Sequence, residues 1–219
     1  MKVVLFGATG MVGQAALHAC LDDPTVDRIV LVLRSPLSHA DPRVVSVMHA
    51  DFYDFSALAE DFEGAQACLF CLGVTSAGKK EPEYRRITYD ITLAAARVLA
   101  EVNPGMVFEY VSGQGTDSTE RGRVMWARIK GATENAVMAL PLRGYGIRPG
   151  FIRPAPGVQT KTRVYAIGYR LFGRLYPLLV RVAPDHVLTS DELGRAMLAI
   201  AERRPEQRIF DTAALKAMI

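Results

Sequence analysis

The 219-residue chain has little of what several protein classes require. It holds three cysteines, Cys20, Cys68 and Cys71, an odd number set in apolar stretches. That excludes the disulfide framework of a small secreted domain and fits a reducing compartment. Cys68 and Cys71 form a C-x-x-C, but inside the apolar run QACLFCLG, where residues three apart on a strand point to opposite faces rather than meeting at a turn. Four histidines, His18, His39, His49 and His186, are scattered without zinc-ligand spacing, so no metal site is expected. With 26 Lys and Arg against 23 Asp and Glu, the net charge of +3 lacks the concentrated basic load of a nucleic-acid binder, and no nucleic-acid partner is expected. The apolar run Val3 to Phe6 is too short for a signal peptide or a membrane span, and the expected location is cytoplasmic.

What is present is apolar and punctuated. Half the residues are hydrophobic, with 18 glycines and 12 prolines, enough to bury a core and, at this length, to form one domain over 1–219. No repeat or low-complexity segment interrupts it. Short β-branched runs alternate with helical periodicity: strands at 2–7, 28–34, 44–51, 66–73, 106–113 and 143–150, with helices at 11–21, 56–62, 82–102 and 121–139 between them. Strands alternating with helices, in near-continuous apolar runs, predict an α/β fold with a doubly wound parallel sheet of six strands, Rossmann-type, covered on both faces. After Gly150 the pattern changes to a proline-rich loop, an apolar helix over 164–183 and an amphipathic helix over 191–203, and residues 151–219 are expected to form a small helical region covering the substrate.

The first strand runs directly into Gly7-Ala8-Thr9-Gly10-Met11-Val12-Gly13 and then into a helix. One glycine permits the turn, the second lets a pyrophosphate approach the main chain, and the third lets helix pack on strand, while the helix N-terminus offers free N–H groups to the anion. The bland alternative is a tight structural turn. About 20 residues on, where an acidic side chain would select NAD by binding the ribose hydroxyls, stand Arg34 and Ser35. A guanidinium there clamps a 2′-phosphate, so NADP is favoured over NAD, unless Arg34 is a solvated strand-end charge beside an ordinary turn serine. Asp51 and Phe52, ending the third strand, are placed to meet the adenine, Asp51 accepting from its amine and Phe52 lying along the ring. Leu72, Gly73 and Val74 end the fourth strand at the ligand-binding edge, although Gly73 also reads as a plain loop glycine.

With these residues the chain resembles the extended and atypical short-chain dehydrogenases/reductases, whose GATGxxG opening is matched by Gly7 to Gly13. Within them it is similar to the Tat-interacting oxidoreductase group and its bacterial relatives, on the glycine turn, the Val111-Ser112-Gly113 strand end and Ile147 to Gly150. The resemblance implies a catalytic serine at Ser112 and, at Lys130, a lysine that binds the nicotinamide ribose and lowers the pKa of a tyrosine four residues before it. That place holds Trp126. An indole N–H only donates, so Trp126 cannot be the general acid, though spacing i, i+4 keeps it on the face of Lys130 to stack on substrate or nicotinamide. Tyr84, Tyr89 and Tyr145 are phenols that no spacing selects as substitutes.

The functional expectation is an NADP(H)-binding protein that transfers hydride to or from a small carbonyl or hydroxyl compound of unknown identity. One alternative is a cofactor-holding sensor or assembly protein without turnover; another is a nucleotide-sugar epimerase or dehydratase. Lys79, Lys80 and Lys161 read as solvated charges that also reach a phosphate or acidic substrate. The 164–183 stripe, with Tyr165, Tyr169, Phe172, Tyr176 and Leu179 on one face and Arg170, Arg174 and Arg181 opposite, reads first as packing over the cleft, next as a homodimer or partner interface, and last as a membrane surface.

Overall fold

The computed structural model describes residues 1–37, 39–154 and 187–219. Its centre is a seven-stranded sheet in the order β3-β2-β1-β4-β5-β6-β9, parallel throughout: β1 (Lys2–Phe6), β2 (Arg28–Leu33), β3 (Val44–Met48), β4 (Ala67–Phe70), β5 (Val107–Val111), β6 (Arg143–Arg148) and β9 (Ile209–Asp211). Alternation within each strand feeds two layers. Val3 and Leu5 of β1 join Leu31, Leu69, Val107 and Ile147 under α1 (Met11–Asp22) and α6 (Ser190–Arg203). Val4 and Phe6 join Val32, Phe70, Phe108 and Tyr110 under α4 (Ile91–Val102), with Phe55 and Phe62 closing the layer. Phe6 meets Phe55 edge-on at 5.3 Å between centroids and Phe70 at 5.1 Å, and burying each such ring stabilises the fold by about 1.5–3 kcal/mol.

The doubly wound parallel sheet expected from the sequence is present, with one strand more than the six read there. Strand β9 is only three residues, IFD, too short for alternation to show, and it pairs with Gly146 to Arg148 of β6. Two further short strands, β7 (Phe151–Arg153) and β8 (Val187–Thr189), form a separate parallel pair. Most strands stop before their expected ends; β6, for instance, ends at Arg148 because Pro149 has no N–H to donate to the ladder. The helix read over 121–139 starts only at α5 (Met125–Met138): the carboxylate of Asp117 takes the Gly122 N–H, and Glu120 sits at φ 61°, so 117–124 is a folded loop. The helix over 82–102 is α3 (Glu81–Arg85), a π segment (Arg86–Asp90) and α4. Helix α2 (Ala59–Phe62) and the 3-10 turn before it match the short helix over 56–62.

Of the segment expected to cover the substrate, residues 187–219 are built into the sheet body. A Cβ on Gly194 of α6 would lie 2.4 Å from the Ala15 carbonyl oxygen, so α6 and α1 touch backbone to backbone, while β9 lengthens the sheet and α7 (Thr212–Lys216) follows it. Thr189 caps α6 by a capping box with Glu192. Lys161, His186 and the 164–183 stripe, with the interface expected of it, lie outside the described residues.

One side chain breaks the apolar layer under α1 and α6. Glu109, centred on β5 between Leu69 and Tyr145, is fully buried, and neither carboxylate oxygen has a hydrogen-bond partner among the described residues. Burial pushes its carboxyl well above the ordinary range.

Candidate cofactor and active site

Strand order reverses between β1 and β4, and a crevice at the carboxyl edge of such a reversal is where open α/β sheets bind ligands. The Gly7 to Gly13 turn sits there. Gly7 has φ 80°, and a Cβ on it would stand 2.8 Å from the Cys71 carbonyl; a Cβ on Gly13 would stand 2.0 Å from the Gly7 carbonyl oxygen. Both glycines are therefore imposed by backbone contact, whereas Gly10 has room and serves as the N-cap of α1, its N–H donating to Gly7 O at 2.9 Å. Gly10 is exposed, Thr9, Met11 and Val12 are half-buried, and α1 begins with neither a side-chain cap nor an acidic residue in its first turn. The helix opens with N–H groups directed at the crevice and no anion of its own. The thiols of Cys68 and Cys71, on and after β4, are pushed well up by burial and stay protonated.

On the β2 and β3 side, the Arg34 guanidinium stands 5.3 Å over the Phe52 ring, and Arg34 and Ser35 are exposed. Phe52 is itself buried against His49 and Phe55, so the ring expected to lie along adenine is a core aromatic roofed by Arg34. Asp51 is exposed and its carboxylate accepts the Tyr53 N–H at 2.9 Å, which holds it at the turn. Leu72 is half-buried, Gly73 and Val74 are exposed, and a Cβ on Gly73 would meet nothing within 4 Å, so no packing demands glycine there.

On the β5 side, Ser112, Trp126 and Lys130 come together. The Lys130 ammonium donates to the Ser112 carbonyl oxygen, and burial pushes its pKa down to about 8 against the pull of Glu134. Trp126 lies one turn earlier on α5, its ring edge 3.4 Å from where a Cβ on Gly115 would be, in the loop after β5. The Ser112 hydroxyl is turned inward: its proton faces Glu134 Oε1 at 2.5 Å, with the Ile147 carbonyl at 3.2 Å. A serine polarising a substrate oxygen must first leave Glu134.

Glu134 and Arg148 are the residues that sequence reasoning missed. Glu134 is fully buried; Arg148 Nε lies 3.1 and 3.2 Å from its two oxygens, Nη2 completes the ion pair and also donates to Ser118 Oγ. The signals were available: Glu134 follows Lys130 by four, as Lys130 follows Trp126, and Gly146 is a strand glycine whose Cβ would stand 2.6 Å from Glu134 Oε1. Of the substitute phenols, Tyr145 donates to Pro205 O at 2.8 Å and accepts from Arg143 Nε, Tyr89 carries the Arg85 guanidinium at 4.0 Å, and Tyr84 is buried.

No family model matches the chain. It is 31% identical to leucinostatins biosynthesis cluster protein T of Purpureocillium lilacinum over 123 residues, 54% of this chain but only 45% of that protein. It is 23% identical to the mitochondrial protein FMP52 of Eremothecium gossypii over 100% of this chain and 97% of that one, and 27% identical to the mitochondrial fmp52 of Emericella nidulans over 89% and 84%. These two relatives overturn the cytoplasmic expectation, which rested on the cysteine pattern and on the lack of an apolar leader. Among solved structures, MoeE5 in complex with UDP-glucuronic acid and NAD superposes with TM-score 0.69 at 16% identity, covering 97% of this chain and 76% of MoeE5. The UDP-N-acetylglucosamine 4-epimerase from Bacillus cereus gives 0.67 at 13%, covering 96% and 78%. The fold is the Rossmann-type α/β fold that these structures share. At these identities the likeness carries the architecture alone. Among the described residues no helix is long and apolar enough to cross a membrane.

Proposed function

We propose that this protein binds a nicotinamide dinucleotide, NADP(H) in preference to NAD(H), and transfers hydride between it and a small carbonyl or hydroxyl compound beside Trp126 and Lys130. The observation that carries this is the Gly7 to Gly13 turn, whose outer glycines are imposed by backbone contact and whose helix opens without an anion of its own. NAD in the MoeE5 structure supports the class of cofactor, and Arg34, exposed at the end of β2, supports the phosphorylated form. When bound, the cofactor supplies or accepts the hydride. Lys130, held by the Ser112 carbonyl, presents an ammonium to the nicotinamide ribose, and Trp126 offers a flat apolar wall and one N–H donor to the substrate. Ser112 polarises the substrate oxygen once its hydroxyl turns from Glu134.

Positioned proton transfer contributes about 10²–10⁴-fold, so a site with an indole in place of a phenol turns over slowly. The test is NADPH oxidation against a carbonyl panel by the wild type and Trp126→Tyr. Turnover by both, faster in the tyrosine variant, supports the proposal; NADPH binding with turnover by neither supports a sensor or assembly protein that only holds the cofactor. The engaged Ser112 hydroxyl and Trp126 favour that second reading. The nucleotide-sugar reading has the support of the epimerase neighbour's architecture but lacks the phenol. The narrower resemblance to the Tat-interacting group rests on the glycine turn and the strand ends Val111 to Gly113 and Ile147 to Gly150.

A further inference from the structure

The turn that carries the ring under Arg34 carries a second guanidinium on its next residue. The turn after β3 is closed by the Asp54 N–H on Asp51 O at 3.3 Å, and its two central residues, Phe52 and Tyr53, each carry an arginine on the ring: Arg34 at 5.3 Å over Phe52 and Arg86 at 4.7 Å over Tyr53. Arg34 comes from the end of β2 and Arg86 from the first residue of the π segment, so neighbours on one turn gather cations from elements about 50 residues apart in the chain. Among the described residues neither arginine makes an ion pair. The two carboxylates of that turn accept from its own backbone, Asp51 from the Tyr53 N–H and Asp54 from the Ser56 N–H at 2.8 Å. Stacking engages the flat face of a guanidinium and leaves its N–H edge free, the edge that grips a phosphate with two parallel bonds. A phosphate monoester carries a charge of about −1.5 to −2 at neutral pH, more than one guanidinium neutralises.

We infer that Arg86, seated on Tyr53, is the second arm of a two-arginine clamp with Arg34 for the 2′-phosphate of a bound adenosine, so that the phosphorylated dinucleotide is selected by both. This rests on the cofactor reading above. Tyr53 is 42% exposed, and its ring holds the Arg86 guanidinium in place much as Phe52 holds that of Arg34. Neither arginine belongs to the glycine turn, so losing one weakens selection without removing the pyrophosphate site.

The test is titration of the full chain with NADPH, NADH and 2′,5′-ADP, followed by cofactor fluorescence or calorimetry, for wild type, Arg86→Ala, Arg86→Lys, Arg34→Ala and Tyr53→Phe. The clamp predicts that Arg86→Ala weakens NADPH and 2′,5′-ADP by about 5- to 20-fold and NADH by less than 2-fold. Arg86→Lys recovers part of the loss, and Tyr53→Phe stays near wild type because the ring is kept. Equal weakening of NADPH and NADH, or no change in either, overturns the clamp while leaving the dinucleotide reading intact. Wild type that binds neither dinucleotide removes that reading and the clamp with it. Circular dichroism of each variant separates lost binding from lost folding, and the conservative Arg86→Lys keeps the question decidable if the alanine variant misfolds.

Discussion

Replacing Glu109 by Gln tests the reading of the sheet interior through its proton balance. The carboxyl is fully buried with no hydrogen-bond partner among the described residues, and desolvation raises its pKa well above the ordinary 4.5. In the unfolded chain it ionises at the ordinary value, so above about pH 4.5 the native state holds a proton that the unfolded state has released. The unfolded state then binds fewer protons, and stability falls as pH rises, by about 1.4 kcal/mol per pH unit until the native carboxyl ionises too. Gln keeps the shape and removes the titration. Urea unfolding of both proteins at half-unit steps from pH 4 to pH 7, followed by Trp126 fluorescence and far-UV circular dichroism, gives the difference directly. The variant is expected to gain on the wild type by about 1.4 kcal/mol per unit above pH 5, worth about 3–6 °C in melting temperature at this chain length. Shifts at the paired carboxylates Asp23, Asp41 and Glu206 cancel because both proteins share them. A stability difference that does not change with pH would refute the argument, since it would mean that Glu109 is ionised in the native state or titrates alike in both states.

Three further outcomes follow from the site. Gly13→Ala forces a Cβ to within 2.0 Å of the Gly7 carbonyl oxygen, so the turn must open: dinucleotide binding is expected to be lost and the melting temperature to fall, both measurable on one sample. Glu134→Gln removes the charge that pairs with Arg148 while leaving an amide oxygen that still accepts from Ser112, and should cost about 3 kcal/mol in denaturant unfolding; a loss below about 1 kcal/mol would mean the pair is not held in solution. Lys130, whose pKa burial lowers to about 8, is charged below that value and loses its charge as pH rises through it. Cofactor affinity in the wild type should therefore weaken above about pH 8, while Lys130→Met shows no such step.

Much of this architecture is legible in the sequence because both faces of the sheet are covered: ACLF is apolar throughout and KVVLF and RIVLVL are apolar after their first residue, and the glycine turn announces itself by following one such run. What escaped depends on contacts remote in sequence. Strand β9 has three residues and exists because β6 offers an edge. Arg121 and Arg123 fit a helical period, but the bonds Asp117 makes to the N–H groups of Thr119 and Gly122 hold that stretch as a loop. Phe52, an aromatic at the cofactor edge by sequence, is drawn into the cluster with Phe55. The inward turn of Ser112 needs Glu134, 22 residues away, and Arg148, 14 beyond that.

The central claim is that the bend between β1 and α1 receives a dinucleotide's pyrophosphate and that arginine at the tip of β2 prefers the phosphorylated adenosine. Isothermal titration of the folded chain with NADPH and NADH measures both halves at once: a saturable signal near one site per chain, tighter for NADPH, with Arg34→Asp moving the preference towards NADH. No heat from either dinucleotide at millimolar concentration would contradict it.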